Sequence, residues 1–181
     1  MQFIATPLAD AFVVEPVVFR DHRGFFMEPY SRRAFEAQGL HFDFVQDNHS
    51  LSVEKGVLRG LHFQRPPYSQ TKLIRVITGS IYDVIVDLRH ASPTYGQSFG
   101  VELSGDNLKM LLVPKGFAHG FCTLTENCHI MYKVDEFYAP EADGGVRWDD
   151  PELKIVWPVS APILSAKDAA LPLLRDLGQV F

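Results

Sequence analysis

The sequence predicts an all-β fold, a sandwich or jelly-roll barrel with a few short helices, one of them near the C-terminus. Three observations predict it. Most of the chain falls into short runs rich in β-branched and aromatic residues. Gly, Pro, Asn or Asp punctuates those runs, which favours strand and turn over long helix. In 82–88, YDVIVDL, the side chains alternate: Tyr82, Val84, Val86 and Leu88 take one face and Asp83, Ile85 and Asp87 the other.

The elements follow in order. SRRAFEAQGL (31–40) reads as helix, with Ser31 as its cap and Gly39 as its stop. VLRGLHF (57–63), 72–89, SFGVEL (98–103), LKMLLVP (108–114), HGFCTL (119–124) and CHIMYKVDEFY (128–138) read as strand. RPPYSQ (65–70) reads as an exposed loop, and the tail from WDDPELKIVWP onward is expected to wrap over the barrel. SAKDAALPLLRDL (165–177) reads as a second helix, capped by Ser165, with Asp168 at the capping-box position. Pro172 ends or kinks it.

Composition narrows the function classes. The chain has 181 residues, 46% hydrophobic and 22% charged, which suits one soluble globular domain over 1–181 and not a disordered chain. No apolar run approaches a bilayer span, and MQFIATPLADAF lacks a signal peptide's basic and apolar regions. With 17 Lys+Arg against 22 Asp+Glu, the net charge of -5 disfavours duplex nucleic acid while leaving room for one small anion. Two cysteines, Cys122 and Cys128, are too few for a disulfide framework and read as reduced thiols of a cytoplasmic protein.

A metal site is sketched and then denied. Small jelly-roll enzymes often hold a metal with two His and a Glu in one motif and a His in a second. His62 stands in the first framework, and PKGFAH (114–119) has the shape of the second. Two residues beyond His62, however, stands Gln64, and Lys72 occupies the place of the carboxylate. A protonated lysine has no lone pair to give, and two histidines alone make a weak site.

What remains is His62, Lys72 and His119, with Tyr132 and Tyr138 of equal parity on one predicted strand. Taken singly, each is more often a core or surface residue than a site residue. Together they suit proton abstraction next to a carbonyl. Imidazole is a base near neutral pH, a lysine ammonium stabilises an enolate, and a phenol on the opposite face returns a proton. One conflict stands: Arg59 and His62 have opposite parity, so both face one pocket only if the strand bends or bulges at Gly60, unless Arg59 lies at the mouth.

The motifs DHRGFFMEPY (21–30), FVQDNHSLS (44–52), GVLRGLHFQRPP (56–67), VPKGFAHGF (113–121), MYKVDEFYAP (131–140) and LSAKDAA (164–170) run in order along the chain. With them the chain resembles the dTDP-4-dehydrorhamnose 3,5-epimerases, cupin-type nucleotide-sugar epimerases, from the N-terminus to about residue 170. The resemblance implies a cupin-like jelly-roll and epimerisation at C3 and C5 of dTDP-4-keto-6-deoxy-D-glucose, with no metal and no organic cofactor. It implies His62 as base, Asp168 holding its imidazole, Lys72 on the enolate oxygen, and Tyr132 rather than Tyr138 as the acid. His119 would contact the sugar or enolate, and Asp83 is our candidate for holding His119.

For the nucleotide end, Arg23 and Arg59 suit the diphosphate, with Lys167 adding charge. Glu28 and the run Gln46, Asp47, Asn48 suit the thymine edge and ribose, and Phe25 or Phe26 could stack on the base. The family's members are homodimers whose N-terminal segment crosses to the partner, which would put Arg23 and Glu28 in the neighbour's site. Asp143 is a departure: the family tends to carry a longer Glu there, in contact with the nucleotide.

The rival readings are a single-centre epimerase, a dTDP-sugar ketoisomerase of the same barrel type, a non-catalytic nucleotide-sugar-binding cupin, and a metal dioxygenase. Gln64 and Lys72 disfavour the last.

Overall fold

Alternation along residues 82–88 sorts side chains onto two sides of a sheet, and the computed structural model, which describes residues 1–181, shows where each side goes. Val84, Val86 and Leu88 are buried against the C-terminal tail, with Tyr82 beside them. Ile85 points the other way into the main core between two sheets.

The elements are β1 (Gln2–Ala5), β2 (Phe12–Glu15), β3 (Val18–Asp21), β4 (Gly24–Met27), α1 (Arg32–Glu36), β5 (Gln46–Ser52), β6 (Leu58–Gln64), β7 (Lys72–Thr78), β8 (Ser80–Asp87), β9 (Ser98–Ser104), β10 (Met110–Val113), β11 (Phe117–Thr123), β12 (Cys128–Val134), β13 (Asp143–Gly145) and α2 (Ala166–Ala169). One sheet has six strands in the order β1-β2-β10-β7-β12-β5, and the other has five in the order β13-β6-β11-β8-β9. The pairings within both are antiparallel. The two inner faces share a core containing Ile74, Val76, Ile81, Ile85, Leu111, Phe117 and Ile130, as a sandwich requires. This is the expected all-β jelly-roll barrel of the cupin type.

The tail wraps the outside of the five-stranded sheet. Leu153, Leu174, Trp157, Val180 and Phe181 pack onto Leu61, Phe63, Val84 and Val86. The outer face of the six-stranded sheet is covered in part by Phe35, Tyr30 and Phe44 around Leu73, Met110 and Leu112. No helix is long and apolar enough to cross a membrane.

Several expectations need correction. The first helix stops at Glu36 and its last residues are turn; Ser31 occupies the cap position, but its hydroxyl makes no cap bond. The second helix ends at Ala169, and only a short 3-10 turn, Leu174–Asp176, follows Pro172. The run 72–89 is two strands broken at Gly79, where a Cβ would meet Cys128 Sγ at 2.6 Å. The run 128–138 ends at Val134, because Asp135 turns out of the ladder and its carboxylate accepts from the Thr71 N–H at 2.6 Å. The parity argument joining Tyr132 to Tyr138 therefore lapses.

Candidate active site

Strand β6 carries the first pieces. Across from it on β11, His119 pairs with His62, but Phe121 pairs with Arg59, so β6 holds one more residue than its partner there. The extra residue sits at Gly60–Leu61. Gly60 has φ +126°, and a Cβ on it would stand 2.5 Å from Gly120 Cα. The bulge resolves the parity conflict: Arg59 and His62 line the same cavity, while Leu61 and Phe63 go under the tail.

That cavity holds about 350 Å³ and opens between the two sheets. The five-stranded sheet contributes His62, Arg59 and His119; the six-stranded sheet contributes Lys72, Tyr132 and Ser50; the tail contributes Asp168 and Lys167. A smaller cavity of about 150 Å³ shares His62, Lys72 and Tyr132, and adds Tyr138 and Asp143.

Two imidazole–carboxylate pairs face into this space. His62 Nε2 donates to Asp168 Oδ1 at 2.6 Å. The Asp168 backbone N–H is capped by Ser165 Oγ at 3.1 Å, so the helix start leaves the carboxylate free to turn to His62. Burial pushes the Asp168 carboxyl up, but the hydrogen bond and charge of His62, with bonds from Ser165 and the Gly60 backbone, hold it below the usual carboxylate range. With Nε2–H committed to Asp168, Nδ1 keeps a free lone pair. The second pair lies deeper: His119 Nε2 donates at 2.6 Å to Oδ1 of the fully buried Asp83, whose Oδ2 has no hydrogen-bond partner.

Burial lowers the Lys72 ammonium to about 8, against the opposing pull of Asp143 and Asp83. Burial raises the Tyr132 phenol above its ordinary value, with the Arg59 charge acting the other way, so Tyr132 carries its proton at neutral pH. Lys167 is raised by its hydrogen bond to Asp143. No cluster of three or more His, Cys, Asp or Glu side chains is placed to hold a metal ion.

Of the sequence candidates, His62, Lys72, His119, Tyr132, Asp168, Arg59, Lys167, Tyr138 and Asp143 meet here. Others do not. Arg23 pairs with Asp21 on the β3–β4 hairpin, and Phe25 is exposed beside it. Glu28 lines a different cleft with Met1 and Phe19. Asp47 lies on the outer face of β5, paired with Lys133 at 2.9 Å, because alternation sends it away from the cavity. Gln46 and Asn48 bond each other. Asp143, which does line the smaller cavity, pairs there with Lys167. Ser50 and Phe121 line the cavity but were not singled out in the sequence, and Ser165, which also lines it, was read only as a helix cap. Ser50 lies in a polar strand with no apolar alternation to mark it; Phe121 is spaced two residues from His119 on a predicted strand, a signal that could have found it.

Comparison with known proteins identifies the family. The family model described as dTDP-4-dehydrorhamnose 3,5-epimerase matches residues 5–176. The dTDP-4-dehydrorhamnose 3,5-epimerase of Pseudomonas aeruginosa is 52% identical over 168 residues, 91% of this chain and 92% of its own. The crystal structure of the Bacillus anthracis enzyme with TDP and PPi bound superposes with a TM-score of 0.93 at 57% identity, covering 95% of this chain and 98% of that one. The epimerase from Legionella pneumophila, in complex with dTDP-4-keto-L-rhamnose, gives a TM-score of 0.93 at 43% identity over 97% and 94% of the two chains. The chain belongs to the dTDP-4-dehydrorhamnose 3,5-epimerase family of isomerases.

Proposed function

We propose that the protein inverts C3 and C5 of dTDP-4-keto-6-deoxy-D-glucose, giving dTDP-4-keto-L-rhamnose for dTDP-L-rhamnose biosynthesis. The observation that carries this reading is a His–Asp pair on one side of a cavity and a protonated phenol from the opposite sheet, with an ammonium lining the space between.

C3 and C5 both flank the C4 carbonyl, so one enolate chemistry serves both centres. His62 takes the C–H proton and becomes imidazolium, and Asp168 stabilises that charge. The C–H electron pair flows to the C4 oxygen, where the Lys72 ammonium meets the negative charge. Tyr132 gives its proton to the other face of the carbon and is left as phenolate. Inversion needs the base and the acid on opposite faces, and two facing sheets supply that. His62 returns its proton, and Tyr132 regains one, through water. His119, with Nε2–H given to Asp83, presents Nδ1 as an acceptor for a sugar hydroxyl. Arg59 and Lys167 supply positive charge for the diphosphate, and Tyr138 stands at the nucleotide side.

We also infer a homodimer. Arg23, Phe25 and Glu28 lie away from their own cavity, and the β3–β4 hairpin that carries the first two presents Phe19 and Phe26 to solvent at 63% and 65% exposure. A second copy of the chain is the occupant that would cover this hairpin and receive Arg23 and Glu28. The free, buried Cys122 and Cys128 support a cytoplasmic setting.

Turnover in heavy water tests the reaction. With dTDP-4-keto-6-deoxyglucose, deuterium is expected at both C3 and C5 of the product. Label at one carbon alone would make the protein a single-centre epimerase. His62→Ala is expected to lose roughly 10³-fold or more in rate while retaining dTDP binding. Tyr132→Phe is expected to impair inversion more than exchange of the first proton; equal loss of both would overturn the two-face scheme.

A further inference from the structure

Strand β12 ends at Val134, and the segment that follows brings Tyr138 to the smaller cavity. Five backbone groups of 136–139 are met by side chains, and glutamines meet four of them. Gln70 Nε2 donates to Glu136 O at 2.9 Å. Gln64 Nε2 donates to Phe137 O at 3.1 Å, and Gln64 Oε1 accepts from the Ala139 N–H at 2.8 Å. Gln46 Oε1 accepts from the Tyr138 N–H at 3.4 Å. The three amides come from three different places: the start of β5, the end of β6, and the approach to β7.

Gln64 is the centre of this clamp. It is buried at 4% exposure, and its second donor bond goes to Tyr68 O at 2.7 Å. Both N–H donors and the carbonyl oxygen are therefore committed to backbone, leaving little for a substrate. One amide ties the loop 65–70 to the segment 136–139. The Tyr138 ring projects from that segment at 57% exposure, on a fixed backbone. An aromatic wall held in place before binding spares the ordering cost that a mobile one would incur.

We propose that Gln64 is a positioning residue which, with Gln70 and Gln46, holds 136–139 so that Tyr138 stands ready against the nucleotide-bearing substrate. The position two residues beyond His62, where a metal-holding jelly roll would place a ligand, is here a strut. This inference rests on the reading of Tyr138 as a substrate contact.

A double-mutant cycle tests it in the full-length protein. Gln64→Leu is expected to raise KM on the order of tenfold while changing kcat much less. In a Tyr138→Ala background the same substitution should change KM less than twofold, because the group it positions is gone. An equal factor in both backgrounds, or a loss confined to kcat, overturns the role of Gln64. Tyr138→Ala with an unchanged KM would instead remove Tyr138 as a contact, and the inference with it. Should Gln64→Leu fail to fold, Gln70→Met releases only the Glu136 carbonyl and runs through the same cycle with the same criteria.

Discussion

Lys72 is subject to two opposing demands. Burial disfavours its charge, and the proposed chemistry requires that charge. Its proton is held only up to about pH 8, with Asp143 and Asp83 opposing the effect of burial. The sign of the consequence follows. Above about pH 8 the free enzyme loses the cation that meets the enolate, so kcat/KM is expected to fall about tenfold per pH unit on that limb. The unfolded chain keeps the proton to higher pH and binds more of it between about 8 and 10.5, so Lys72 makes stability rise with pH across that window and costs stability below it. Lys72→Met should therefore abolish turnover yet raise Tm at pH 7 by a few °C, on the scale of ~1–2 kcal/mol. Calorimetry alongside the deuterium assay checks both, and a lowered Tm would show that the ammonium stabilises the fold. Asp143 keeps Lys167 and Asp83 keeps His119 in that variant, so neither carboxylate is stranded. The lysine was legible in the sequence because it replaces a carboxylate in a metal framework. The Ser50 hydroxyl was not, because nothing about a lone serine separates a cavity wall from a surface.

At the level of single elements, the bulge in β6 decides which residues meet. It was legible as a contradiction: two useful side chains of opposite parity with a glycine between them. The structure resolves it with an extra residue and φ +126° at Gly60. Gly60→Ala is expected to destabilise by about 2–3 kcal/mol, since its Cβ would press on backbone that cannot yield. Urea unfolding measures this, and an unchanged midpoint would mean that the strand relaxes elsewhere. Strand β5 was invisible for the opposite reason. QDNHSLS is polar and lacks β-branched residues, and its place at the sheet edge comes from pairing with β12 along its whole length. Both helices were read too long because local propensity continued past the point where packing ended. The first is closed by a turn that reaches Gly39, and the second gives up its carboxylate to His62.

In the molecule as a whole, the barrel and its covering tail were legible, and the proposed association of chains rests on one hairpin. The hairpin β3–β4 pairs with no other strand. Exposed aromatics at this density favour a partner surface. Light scattering of the intact protein is expected to give twice the chain mass. Phe19→Ser with Phe26→Ser should shift it toward monomer with loss of dTDP affinity, because Arg23 and Glu28 would leave the neighbouring cavity. A monomeric wild type with full activity would overturn the shared site. Apolar alternation identifies a core but does not separate a face that a second copy would bury from an oversized surface patch.

His62 and Asp168 lie 106 residues apart in sequence. The histidine belongs to the barrel and the aspartate to the tail that closes over it. During synthesis the barrel strands leave the ribosome first, and the carboxylate that orients the proposed base follows after them. On the proposed mechanism, activity thus reports on completion: a chain that stops before residue 168 lacks the carboxylate that orients the proposed base, however many of its strands have paired.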